Sequence, residues 1–371
     1  MHLRRLIFGL GIAGIAFAAA LGFDEPDGAA PAHAADPPSA HGPRVALVAT
    51  FPGAAHSSLY LVQAGDTANP APVATFTHLP DAAVRAANLP GTDTVFATAD
   101  TAETRDRSFN ASLFRLRPHT PPETLCDRVV HASRPLVTPA GRVFVSRGTA
   151  GPELERQMRV DHLTIDEIDP GTGASRVVHA LDGQLAFLAG WSGGEIVVYR
   201  IFAGGADLVG VDPDTGAVRT IVDRLPPFAR DFSVDAAGGR LVFQNRHRTD
   251  ARTWEVDEVD LATGRTRALH SGPSMTMAPA VLPGGGIVFN TGSAGLRPLD
   301  APLRVNGPLG AGVDVIAATS PDHLAALHTV AGALPVPFLI EVETGAASLL
   351  PAPKNARIAI AGFVGNDGGA Q

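Results

Sequence analysis

Cysteine occurs once in 371 residues, at Cys126. A disulfide framework and a Cys-based zinc site are thereby excluded. Lysine also occurs once, at Lys354, so arginine carries nearly all of the positive charge. Charged residues make up only 18% of the chain, below the roughly 25% usual in soluble proteins. Acidic residues outnumber basic ones, 37 to 29, for a net charge of −8. The basic excess that a general nucleic-acid binder uses against phosphates is missing, so no nucleic-acid partner is expected. Room for long helices is scarce too. Gly (40) and Pro (31) together make up about a fifth of the chain, and that density of breakers favours short strands joined by turns. Apolar residues are plentiful at 45%, enough for a large core and unlike a disordered chain.

The N-terminal segment stands apart from the rest. Arg4 and Arg5 precede Leu6–Phe23, a run without a charged residue. A basic stretch followed by an apolar one reads as an export signal, with a small-x-small cleavage option at Ala32-His33-Ala34. The apolar run lies at the lower limit of a membrane span, so an uncleaved anchor is the alternative. Residues 1–34 are thus expected to be a signal peptide or an N-terminal anchor. Residues 35–43, rich in Ala and Pro, are expected to be a flexible linker. The expected location is periplasmic or secreted, or anchored to the inner membrane facing the periplasm. Membrane contact is expected only if the segment stays uncleaved.

Residues 44–371 are repetitive. A turn of the form acid-x-x-Thr-Gly occurs as Asp169-Pro-Gly-Thr-Gly173, Asp212-Pro-Asp-Thr-Gly216, Asp260-Leu-Ala-Thr-Gly264 and Glu341-Val-Glu-Thr-Gly345. The acidic side chain can accept from its own downstream backbone, and Gly supplies the positive φ of a tight hairpin. A second set of Pro/Gly/Asp turns includes Leu89-Pro-Gly-Thr-Asp93, Thr138-Pro-Ala-Gly141, Trp191-Ser-Gly-Gly194 and Ser320-Pro-Asp-His323. Apolar runs such as Val95-Phe-Ala97, Val143-Phe-Val145 and Leu241-Val-Phe243 follow the turns of this set. Each unit reads strand, turn, strand, longer loop, strand, acid-x-x-Thr-Gly turn, strand. That is the four-stranded antiparallel blade of a β-propeller. The expected fold is all-β with seven blades, six being the alternative count. One blade is expected to be shared between the ends, with three N-terminal strands from Arg44 and one C-terminal strand, Arg357–Val364. Such closure removes exposed sheet edges.

The stretch Phe228-Ala-Arg-Asp-Phe-Ser-Val-Asp-Ala-Ala-Gly-Gly-Arg-Leu-Val-Phe243, continuing to Trp254 and Asp260-Leu-Ala-Thr-Gly264, resembles the TolB-type, WD40-like (PD40) propeller repeat. It has Val-Asp-Ala-Ala-Gly where that repeat prefers Ser-Pro-Asp-Gly, and Ser320-Pro-Asp322 is closer at that turn. The resemblance covers residues 44–369 as a pattern and about two blades in detail. It implies a fold rather than an activity. Its family includes periplasmic partner-binding proteins and non-catalytic domains of peptidases.

Few residues suggest chemistry. There is no Gly-x-Ser-x-Gly elbow, and Gly190-Trp-Ser-Gly-Gly194 reads as a strand turn. There is no His-Glu-x-x-His and no Asp-rich calcium loop. His78, His131 and His270 fall in loops from a fourth strand to the next first strand, nearest the funnel. They are the weak candidates for a divalent metal, against the plain reading that exposed loops tolerate His. Charge is more informative. Loops between second and third strands carry Arg105, Arg156 and Arg248, and strand starts beside the funnel add Arg85, Arg134, Arg230 and Asp231. Guanidinium forks on a rigid rim suit carboxylate or phosphate groups. The plain alternative is solvation of long loops. The expected function is a non-catalytic binding platform for a protein partner or an anionic small ligand, with no cofactor. The alternative is a lactonase-like or lyase-like enzyme with a metal or acid–base site in the funnel.

Overall fold

The computed structural model describes residues 42–365 apart from 103–108, 151–159, 182, 227, 236–238, 248, 251, 274–276, 283–284, 291–295, 299–312 and 329–333. The described residues form antiparallel sheets, arranged like the blades of a propeller. Four sheets have four strands in simple up-and-down order. One consists of Arg357–Val364, Arg44–Thr50, His56–Gln63 and Ala74–Thr77. The others run Leu185–Ser192 to Val218–Leu225, Arg230–Val234 to Thr266–Gly272, and Val313–Thr319 to Ala347–Leu349. A three-stranded sheet begins at Ala280–Val281. An eight-stranded sheet contains everything from Arg85–Asn88 to Ser175–Ala180. Its two halves meet at a single bridge, Val129 to Arg147.

Hydrophobic side chains explain the ring. The second and third strands are buried over most of their length, because each sheet is covered by a neighbour on both faces. Ile196, Val197, Val198 and Tyr199 are at most 1% exposed. Fourth strands lie at the circumference and keep exposed positions, as in Ser175–Ala180. Shared clusters join successive sheets all the way round. Phe76 and Val48 pack with Val95 and Phe114, and Tyr199 packs with Phe243. The circle closes where Leu47 and Ile360 pack with Ala325 and Leu339. Each such fully buried Leu, Ile or Phe contributes roughly 1.5–3 kcal/mol of transfer energy.

The expected closure is present. Arg357–Val364 pairs with Arg44–Thr50, from Arg44↔Val364 to Thr50↔Arg357. A bulge leaves Ala361 without a partner in the ladder, between Gly362 opposite Ala46 and Ile360 opposite Leu47.

The acid-x-x-Thr-Gly segments are turns between third and fourth strands. In the first, Asp169 Oδ1 accepts from Gly171 N (3.0 Å), Thr172 N (2.6 Å) and Thr172 Oγ1 (2.7 Å). Gly173 N donates to Asp169 O at 2.9 Å, with Gly173 at φ 75°. Asp212 and Asp260 repeat the pattern on Thr215 N (3.0 Å) and Thr263 N (2.8 Å). Glu341, one methylene longer, accepts instead from the Thr344 hydroxyl at 2.6 Å.

Arginines on this turn face tie several units to their neighbours. Arg115 donates to the carbonyls of Pro170 and Gly171. Arg142 forks onto Glu167 (2.6 and 3.0 Å) and reaches Asp214 in the following sheet (2.9 Å). Arg219 reaches Leu261 O at 3.2 Å, Arg240 reaches Gly285 O at 2.5 Å, and Arg44 pairs with Asp93.

Two outcomes are expected. Removing residues 357–371 exposes the edge of Arg44–Thr50 and takes Ile360 and Val364 out of the core. It should cost roughly 3–6 kcal/mol from those two side chains alone, read as a lowered thermal midpoint. The second concerns acid. Hydrogen bonding holds three turn carboxyls below the usual range: Asp169 chiefly through the Thr172 side chain, Asp212 through the Thr215 amide, Asp260 through the Thr263 amide. A carboxyl depressed by folding stabilises the fold above its unfolded value, near 3.8, and that contribution drains as pH falls through the folded values. Urea midpoints should therefore drop between about pH 6 and about pH 2.5. The triple variant D169N/D212N/D260N should lose less over the same span.

Candidate functional site

The first strand of each unit lines a central channel. Its cavity of about 3010 Å³ is walled by small residues, among them Ala86, Ala87, Ala189 and Ala280. Larger groups sit at its two ends. Antiparallel order forces every first strand to start at the same end, the end of the loops between second and third strands. Arg85, Arg230 and Arg357 are the opening residues of their strands. Arg134 precedes Leu136–Val137 by two residues. All four arginines line the channel, as do Asp81 and Asp231, and the strand order puts them toward this one end.

Their partners differ. Arg357 pairs with Asp81 at 3.2 Å. Arg230 lies 3.5 Å from Asp231 and stacks over the Trp254 ring at 4.7 Å, while its Nε is buried without a hydrogen bond. Arg134 donates from Nε to Ala86 O (2.9 Å) and from Nη2 to Ala361 O (3.2 Å). That second acceptor is the carbonyl freed by the closure bulge. Arg85 donates to Val84 O at 3.3 Å. Neither Arg85 nor Arg134 has a carboxylate partner among the described residues.

Depth shapes the electrostatics here. Arg134 is reachable by the water of the channel yet lies deep inside the ring. Desolvation, and then the nearby charge of Arg85, push its pKa down; a guanidinium remains charged regardless. Desolvation pushes the Asp231 carboxyl up, against the pull of Arg230 and Arg85. Arg85 thus acts on both Arg134 and Asp231. Asp231 also holds a positive φ of 55° at a register shift in its strand.

Of the rim residues expected from the sequence, Arg85, Arg134, Arg230 and Asp231 come together. Arg105, Arg156 and Arg248 lie outside the described residues. Arg357 was missed because its strand was read only as the ring's closure. The signal was present, since it opens a first strand just as Arg85 does.

The three histidines do not converge. His78 is buried, with Nδ1 donating to Leu79 O and Nε2 against Ser57 Oγ, both at 2.7 Å. His131 Nδ1 is 2.7 Å from Asp100 Oδ2. His270 lies inside the strand Thr266–Gly272 rather than in a loop, with its ring 4.6 Å from that of Phe289. None of the three lines the channel. Among the described residues no group of three His, Cys, Asp or Glu side chains is placed to hold a metal ion. Burial raises the Cys126 thiol to about 11, which leaves it protonated and a poor nucleophile.

No family model matches the chain, and no curated protein matches it. Among solved structures it is similar to a prolyl endopeptidase, at 15% identity over 86% of this chain and 50% of that one, with a TM-score of 0.54. It is similar to a puromycin-hydrolyzing peptidase of Mycobacterium tuberculosis, at 16% identity over 74% and 46%, TM-score 0.50. TolB from Acinetobacter baumannii is another neighbour, at 14% identity over 88% and 68%, TM-score 0.49. The chain spans about half the length of the two peptidases. TolB-type β-propeller proteins are thus among its structural neighbours, and at these identities the likeness concerns the fold alone.

Gly362 supports this mouth. A Cβ there would collide with the Asn88 side chain, whose Nδ2 donates to Phe363 O at 2.5 Å, and the residue has a φ of 148°. G362A is expected to cost about 1–3 kcal/mol, measured by urea unfolding, through the bulge that presents Ala361 O to Arg134.

Proposed function

We propose that this chain is an exported, seven-bladed, non-catalytic propeller that binds a protein or an anionic ligand on one loop face. The observation that supports it most directly is the convergence of Arg85, Arg134, Arg230 and Asp231 on one channel mouth. On the turn face, arginines such as Arg142 are consumed by carboxylates and carbonyls of the next sheet. At the channel mouth on the loop face, Arg85 and Arg134 have no carboxylate partner among the described residues. A rigid ring carrying variable loops is well suited to recognition.

The seven-blade count follows if the eight-stranded sheet is divided at its single bridge and the three-stranded sheet is counted as a blade. Export follows from the basic and apolar segments of residues 1–34, and places the ring in the periplasm or outside the cell. No cofactor is part of this reading.

A pull-down from envelope extract should capture one defined partner. Reversal of Arg105, Arg156 and Arg248 to Glu should abolish that capture. Undiminished capture by the triple variant would rule out the loop rim as the binding surface.

A further inference from the structure

We propose that the arginine mouth of the channel holds a small multivalent anion, a molecule with two or more carboxylate or phosphate groups, bound chiefly by Arg85 and Arg134. The inference rests on the one-face binding reading above and narrows it to a ligand class and a place.

The strand order makes the cluster unavoidable. A residue that opens a first strand must stand at this mouth, and arginine occupies that place on three strands, with Arg134 just ahead of a fourth. The charges then fail to balance. Asp81 answers Arg357, and Asp231 answers Arg230 at the longer distance of 3.5 Å. Among the described residues, Arg85 and Arg134 donate hydrogen bonds only to backbone carbonyls. Among the described residues lining this mouth, positive charge is in excess, on a chain whose net charge is −8.

Arg85 and Arg134 are both exposed to the channel, and Arg134 is within reach of the like charge of Arg85. The Arg230 Nε lies 3.5 Å from Asp231 Oδ2, beyond hydrogen-bonding geometry. An anion between Arg85 and Arg134 would relieve the like-charge repulsion. Carbonyl acceptors orient Arg134 without neutralising it, so its fork is held in position for an anion. One charge on a ligand would answer one guanidinium; two or more can span Arg85 and Arg134 together. The walls are largely apolar, with many alanines, and the cavity has space for a small molecule.

Asp231 serves as an internal competitor. It feels Arg230 and Arg85, the groups that an incoming anion would use. Its left-handed backbone is one that Asp and Asn tolerate better than most residues. D231N therefore keeps the backbone and removes the competing charge.

The test is calorimetric titration of the purified chain with inorganic pyrophosphate and, separately, with citrate. One equivalent should bind, more weakly as salt is raised. R85Q and R134Q should each weaken binding by about tenfold or more, and D231N should tighten it. R117Q, whose guanidinium pairs with Glu123 on the turn face, should bind as the parent does. Binding of either probe upholds the proposal, and the preferred one separates phosphate from carboxylate ligands. R134Q also loses two backbone bonds, so R85Q, with a single long bond to its neighbour, decides the matter if R134Q unfolds. No heat with either probe, or R85Q binding as tightly as the parent, overturns the proposal. If neither anion binds while partner capture still depends on Arg105, Arg156 and Arg248, this inference falls and the platform reading survives. If the anions bind and no partner is captured through those loops, the opposite holds.

Discussion

The pairing of Arg357–Val364 with Arg44–Thr50 is the interaction on which the rest of this molecule depends. Strands that are apolar on both faces have no stable place in an open array, because the terminal sheets would present a bare face and a bare edge. Here the last sheet packs Leu339 and Ala325 against Leu47 and Ile360 of the first. Closure thus turns a row of sheets into a ring. The same ladder makes the bulge that frees the Ala361 carbonyl, and it brings Arg357 to the channel mouth. Architecture and candidate site share one cause.

Arginine has two different jobs in the two faces of the ring. Along the turn face it reaches from one sheet into the turn of the next, where carboxylates and carbonyls use up its donors. Exposed pairs of this kind are worth little singly, commonly below about 1 kcal/mol. The repeated ties fix the azimuth of adjacent sheets more than they add stability, which comes from the buried aliphatic and aromatic layers between them. At the channel mouth Arg357 and Arg230 still face Asp81 and Asp231, whereas Arg85 and Arg134 are held, among the described residues, by backbone carbonyls alone. The difference between paired and unpaired guanidiniums separates scaffold from site.

Much of the fold was legible in the sequence. The Asp169, Asp212 and Asp260 turns could be read because every partner in them lies within five residues. The strand beginning at Arg85 could be read from a local alternation, and its neighbours from the repeat. Even the mouth was partly legible, since being first in an inner strand is a property of the repeat itself. The histidines show the opposite case. His78 and His131 occupy equivalent loops, yet Ser57 and Leu79 engage one and Asp100 the other. Leu79 is the next residue, but Ser57 and Asp100 come from other strands, and no spacing rule announces them.

The sequence by itself determined what depends on neighbours along the chain: strands, turn chemistry, the repeat and the apolar layers. These are set by backbone preferences and by the alternation of side chains across a sheet. The tertiary structure alone decided which charges were spent and which remained. Arg142 finds a partner in the following sheet, and Arg134 is held between carbonyls of two other inner strands, one of them from the far end of the chain. A guanidinium's counter-charge is a matter of distance in space, and only the closed ring establishes those distances.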